Sequence, residues 1–204
     1  VTPGLILPVD WYTSVGTGGS SETIQIVNRP GFSKVRITCI GPGGAGQAYY
    51  YYEQSNDTEY YDVYGGAGGN IATSLLTIGS SASLSVLFNN ANTYFQVDSS
   101  QPVSAATSGQ GGNSGTVIYN GGGGGYVSDG GSVANGGGAA GVYGATSGPT
   151  RGSGVTWTDT VKKLTATNGN ANQDFGGGES RSYSNTGTRG RGLVVLEWGI
   201  EKLY

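Results

Sequence analysis

Lys34-Val35-Arg36-Ile37-Thr38-Cys39-Ile40, running without a break into Gly41-Pro42-Gly43-Gly44-Ala45-Gly46, is the stretch whose reading decides the fold. The first seven residues alternate. Val35, Ile37 and Cys39 share one face and Lys34, Arg36 and Thr38 the other, the period of a half-buried antiparallel strand. The glycines that follow lose more conformational freedom on folding than any other residue. If they are ordered, dense backbone hydrogen bonding or a tight lattice must offset that loss.

Working outward, Thr23–Val27 is a short β-branched run, preceded by a turn at Gly18-Gly19 and followed by one at Arg29-Pro30-Gly31. Downstream, Ala72–Ile78, Leu84–Phe88 and Tyr94–Val97 read as three strands, with turns at Gly79-Ser80-Ser81 and Asn89–Asn92. Val161–Thr167 is a further strand, and Gly192–Trp198 is a strong closing one. Helix formers are scarce and 41 of 204 residues are glycine, so an all-β class follows. The chain reads as a single domain over 1–204. Its β core comes from about 20–40, 71–108 and 190–199, with glycine-rich insertions at 41–70 and 109–154.

The second insertion holds 19 glycines in 46 positions, punctuated by Val117-Ile118-Tyr119, Tyr126-Val127 and Val142-Tyr143. A flexible linker lacks such residues. Part of 109–154 is therefore expected to form an extended polyglycine II-like helix. That helix has three residues per turn and no internal hydrogen bonds, so it must bond to neighbours.

The first insertion carries the clearest functional signal. Between its glycine brackets lie Tyr49, Tyr50, Tyr51, Tyr52, Tyr60, Tyr61 and Tyr64, half of the chain's 14 tyrosines, with Glu53, Asp57, Glu59 and Asp62 among them. Tyrosine offers a large rigid surface with a polar end and little rotamer entropy to lose, which is why paratopes favour it beside Ser, Gly and Asn. Its ring can also stack on sugar C–H faces while carboxylates accept sugar hydroxyls. These seven, with Tyr119 and Tyr126, are the candidate receptor-contact residues. The competing reading makes them staples of the glycine segments or a contact between subunits.

Charge and composition exclude several classes. The net charge is −3, and no Lys or Arg lies between Ile37 and Thr150, where Glu53, Asp57, Glu59, Asp62, Asp98 and Asp129 all fall. Nucleic acid is not an expected partner, and acidic loops can simply keep a sticky surface soluble. There is no His, which removes the usual general base and the commonest metal ligand. Cys39 is alone, so it forms no intrachain disulfide and reads as a small buried hydrophobe. A pair of carboxylates within 53–62 would suffice for a glycosidase, but four in an exposed tyrosine-rich loop more often supply solubilising charge. They could also bind Ca²⁺ through oxygen ligands, but no EF-hand or repeat spacing supports that. No Gly-Lys-Ser/Thr follows a glycine run, so no phosphate loop is expected. The chain is expected to be no enzyme and to need no cofactor or metal. No apolar run suits a membrane helix and no signal peptide is visible, so display outside the cell is expected through a virion.

The order of motifs resembles the glycine-rich domain of phage tail fibres and tail-tip adhesins. The resemblance rests on the strand Val35–Ile40 entering Gly41-Pro42-Gly43-Gly44, on Leu75-Leu76-Thr77-Ile78-Gly79 and Ser83-Leu84-Ser85-Val86-Leu87, and on the closing Gly192–Trp198. It spans roughly residues 20–199; the tyrosine-rich 49–64 and the polar 155–188 depart from it. It implies an antiparallel β-sandwich base with glycine-rich loops projected as a recognition tip. The partner would be a host cell-surface receptor, an outer-membrane protein or a glycan. The alternative is a structural virion or extracellular fibre component whose glycine-rich segments assemble with other subunits, including copies of itself. An ice-binding polyglycine bundle is the weakest reading, since long regular Gly-X-X tracts are absent.

Overall fold

The structure, a computed structural model, describes residues 7–14, 21–127, 175–179, 181–182 and 189–203, with the backbone of 157–158 and 165–166. The strands in chain order are β1 (Val9–Thr13), β2 (Glu22–Ile26), β3 (Lys34–Ile40), β4 (Gln47–Glu53), β5 (Thr58–Tyr64), β6 (Ile71–Thr77) and β7 (Leu84–Phe88). They continue with β8 (Asn92–Val97), β9 (Ser100–Ala106), β10 (Val117–Tyr119), β11 (Tyr126–Val127), β12 (Trp157–Thr158), β13 (Thr165–Ala166) and β14 (Leu193–Trp198). The chain is all-β among the described residues, and the ladders between these strands are antiparallel.

Two sheets form the base. One has the order β1-β14-β3-β6-β10, the other β2-β7-β8-β9. Period-two alternation sends Val35, Ile37 and Cys39 of β3 and Val194, Leu196 and Trp198 of β14 inward, against Val86, Phe88, Phe95 and Val103 of the facing sheet. β3 and β14 pair from Leu193↔Ile40 to Trp198↔Val35. On their outer face the opposed Arg36 and Glu197 form a fork, Nε and Nη2 donating to the two carboxylate oxygens at 2.6 and 2.7 Å. Burial raises the Cys39 thiol pKa, in keeping with its place in the core.

The structure departs from the sequence reading in three places. β3 is not half-buried along its length: Thr38 and Ile40 are buried too. A second cluster on the outer face of the sheet, Ile40, Ile71, Phe175, Leu193 and Val195, covers that end, and Thr38 Oγ1 lies 3.3 Å from the Thr73 hydroxyl. β9 is an element that its Ser/Gln/Pro/Ala content hides. It completes the second sheet by pairing with β8 and burying Val103 and Ala105. Residues 47–64 are a hairpin and not a loop. Of the expected strand Val161–Thr167, residues 165–166 pair with 157–158, and the rest lies outside the described residues. So do Gly18-Gly19 and residues 128–154.

The other expected turns are present. The Phe32 N–H donates to the Arg29 carbonyl at 2.9 Å and that of Ala82 to Gly79 at 3.1 Å. Asn89 closes its turn by accepting the Ala91 and Asn92 N–H groups on Oδ1 at 3.0 and 2.7 Å.

Beyond the five-stranded sheet the chains run on as a glycine neck. Residues 41–46 continue β3, 65–70 lead into β6, 120–125 follow β10 and 189–192 enter β14. The 65–70 segment is central, and its bonds repeat every three residues. Gly65 and Gly68 donate to Gly125 and Gly122, each at 2.8 Å. Gly66 and Gly69 donate to Glu179 and Gly176. The carbonyls of Ala67 and Asn70 accept from Gly44 and Gly41 at 2.7 and 2.9 Å. Successive residues thus serve three different neighbours, the pattern of a polyglycine II lattice, whose helix turns once in three residues. Within 109–154, the described residues 121–125 take part in this bonding through the Gly122 and Gly125 carbonyls. The lattice also recruits the first insertion and 175–179, which local sequence did not indicate. Only glycine permits this spacing: a Cβ on Gly66 would fall on the Gly44 carbonyl, and one on Gly124 on the Gly65 carbonyl.

Candidate functional site

Three chains leave the far side of the neck in the order in which they entered it. The segments 41–46, 65–70 and 120–125 continue β3, β6 and β10, which are neighbours in the base sheet. They connect those strands to β4, β5 and β11, which form a second small sheet ordered β11-β5-β4. The tyrosine hairpin therefore stands at the opposite end of the neck from the sandwich.

Its register runs from Gln47↔Tyr64 to Glu53↔Thr58. Alternation divides its residues between two faces. On one, Tyr51 stacks on Tyr60 (centroids 5.2 Å, planes 15° apart), Tyr49 meets Tyr64 edge-on at 5.8 Å, and Tyr64 packs on Tyr126 at 4.8 Å. On the other, Tyr50 lies 5.2 Å from Tyr61. Each such pair contributes roughly 0.5–1.5 kcal/mol beyond burial. That matters here because an isolated two-stranded hairpin is marginal in water.

The carboxylates are woven into this surface. The Tyr126 hydroxyl donates to Asp62 Oδ1 at 2.9 Å and that of Tyr50 to Glu59 Oε1 at 3.3 Å. Tyr52 donates to Asp57. At the tip, Asn56 Nδ2 donates to Glu53 at 3.0 Å and to the Tyr60 hydroxyl at 2.8 Å. Asp57 closes the turn with φ 54°, a left-handed conformation that Asp tolerates better than most residues. Donation to a carboxylate favours the protonated phenol, so the Tyr52 and Tyr126 hydroxyls are held above their usual pKa, by Asp57 and Asp62 respectively. Among the described residues the ion pairs are Arg29–Asp10, Arg36–Glu197 and Arg181–Glu179, none of them on the hairpin. No metal-ligating cluster occurs among the described residues.

Of the nine tyrosines expected as contacts, eight meet on this sheet. Tyr49, Tyr50, Tyr51, Tyr52, Tyr64 and Tyr126 keep 40–55% of their surface exposed, and Tyr60 and Tyr61 are half-buried. Tyr119 is not among them. It lies on β10, opposite Ile71, and packs against the Ile40 and Phe175 cluster of the base. Sequence reasoning missed Gln47 and Asn56, polar partners that neither composition nor spacing marks. Val63, buried within the hairpin, is the one apolar anchor that alternation from Tyr61 points to. Among the described residues no helix is long and apolar enough to cross a membrane. No protein-family model and no curated protein sequence matches this chain.

Proposed function

We propose that this chain is the receptor-binding tip of a phage tail fibre, or an adhesin displayed on a virion surface, and that the tyrosine hairpin attaches it to a host surface receptor. The receptor is an outer-membrane protein or a glycan. One observation carries the reading: six tyrosines, five on the hairpin and Tyr126 on the adjoining β11, are left about half exposed at the far end of a neck, interleaved with four carboxylates. An exposed aromatic surface of this kind invites aggregation unless it has a partner. Ring pairing and hydroxyl bonds hold these side chains in place, so little rotamer entropy remains to be lost on binding.

The alternative, a structural subunit assembled through its glycine segments, has less support. Those segments bond to one another within the chain, which leaves less backbone for other copies. Catalysis finds no support either, since the chain has no His. The hairpin carboxylates named above accept bonds from Tyr and Asn side chains, which suits a fixed recognition surface.

Changing Tyr50 and Tyr51 together to Ser tests the reading in an adsorption assay on whole host cells. Removing an interface anchor weakens binding by about 2 kcal/mol or more, roughly thirtyfold. The double variant loses two ring pairs, so it is expected to stay folded with a thermal midpoint lowered by roughly 2–12 °C, and to lose adsorption. Adsorption equal to that of the parent would overturn the proposal. Global unfolding would show that the rings are staples of the fold.

A further inference from the structure

A concave site lies where the hairpin leaves the neck. It is an open cleft of about 420 Å³, lined by Gln47, Tyr64, Asn90, Gln110, Arg189 and the backbone around Gly66. That volume falls in the range of small-ligand sites. Its lining differs from the hairpin above it. The hairpin displays carboxylates, whereas among the described residues lining the cleft the one charged side chain is that of Arg189, with no Asp or Glu.

Arg189 is held in place by donating from Nη2 to Asn90 Oδ1 at 3.0 Å, and no ion pair among the described residues neutralises it. Gln47 and Tyr64 are opposed residues at the root of the hairpin, so the ladder fixes both in place. Tyr64 is further held by Tyr49 and Tyr126. The floor is glycine-rich main chain at Gly44, Gly65 and Gly66, with the small side chains of Ala45 and Ala67 beside it.

From this chemistry we infer that the cleft binds an acidic saccharide unit. Arg189 takes the carboxylate, the side-chain amides bond the ring hydroxyls, and Tyr64 supplies an apolar wall. A guanidinium pairs with a carboxylate through a planar fork, which a neutral sugar does not offer. The inference rests on the attachment reading and narrows it, because it gives the chain a glycan contact separate from the exposed tyrosines.

The test is an amide-resolved NMR titration of the intact chain with D-glucuronate, its methyl ester and D-glucose. Glucuronate is expected to shift the Gln47, Gly66 and Gln110 amides at millimolar concentration, and the ester and glucose to shift them far less. Arg189→Gln should weaken glucuronate binding roughly tenfold or more, as loss of a charge-assisted pair does, while Arg189→Lys retains part of it. Arg189 is joined to the fold by one exposed side-chain bond, so these variants are expected to fold normally. No shift with glucuronate, equal shifts with glucose, or binding unchanged in Arg189→Gln would each overturn the inference. Tyr50→Ser/Tyr51→Ser serves as the separating control: it removes host adsorption if the hairpin reading holds, yet should leave glucuronate binding intact. Failure at the cleft is thereby distinguishable from failure at the hairpin.

Discussion

Gly123→Ala and Gly124→Ala are adjacent changes in a run of five glycines, and a flexible linker would accept both alike. In the lattice they differ. A Cβ on Gly123 meets nothing within 4 Å, whereas one on Gly124 would fall on the Gly65 carbonyl and within 3.0 Å of the Gly66 oxygen. Relief requires the 121–125 segment to move away from 65–70. That movement breaks the bonds from Gly65 to Gly125 and from Gly68 to Gly122, each 2.8 Å long. Gly122 and Gly125 are buried, so water does not readily replace what is lost. At about 1–2 kcal/mol per bond, between the net worth of a made bond and the penalty of a buried unmade one, Gly124→Ala should cost about 2–4 kcal/mol. For a chain of this size that lowers the thermal midpoint by roughly 4–16 °C. Gly123→Ala should be neutral or slightly stabilising, by up to about 1 kcal/mol, because alanine restricts the unfolded chain. Calorimetry and urea unfolding of the two variants decide the matter. Equal midpoints, or a larger loss at Gly123, would refute the lattice.

Other consequences are as specific. Asp10 accepts from the buried Trp198 indole Nε1 at 2.9 Å and from Arg29 at 2.8 and 2.9 Å. Asp10→Ala should therefore cost about 1–3 kcal/mol, against at most about 1 kcal/mol for Arg29→Ala, whose side chain is 42% exposed; equal losses in urea unfolding would contradict this. The Tyr126 phenol should ionise above its ordinary pKa of 10.0, because it donates to Asp62. Its raised value makes that bond a contribution present below pH 10 and lost as pH rises through the raised pKa. In ultraviolet titration the step missing from Tyr126→Phe should lie above pH 10. Cys39 is fully buried and its thiol is held protonated, so maleimide should label it only as the chain unfolds, and rapid labelling of native protein would be inconsistent with the core.

What the sequence determined by itself is what a strand's two-residue period encodes locally. Val35, Ile37 and Cys39 had to share a face, and Leu84, Val86 and Phe88 likewise, because burial of one face is the only use such spacing has. The turns at Arg29–Phe32 and Asn89–Asn92 were equally legible, since their own side chains and dihedral preferences make them. Residues 47–64 were legible as chemistry but not as a hairpin: four consecutive tyrosines show no alternation, so only the pairing of Tyr51 with Tyr60 and Tyr50 with Tyr61 reveals two faces. Tertiary structure alone separated Tyr119 from Tyr126, seven residues apart in the chain yet placed at opposite ends of one glycine run. It also chose the partners within the neck. A glycine run has no side chains to distinguish one register from another. The lattice takes its alignment from the strands at each end, where β3, β6 and β10 enter already ordered by their own side chains and leave as β4, β5 and β11 in the same order.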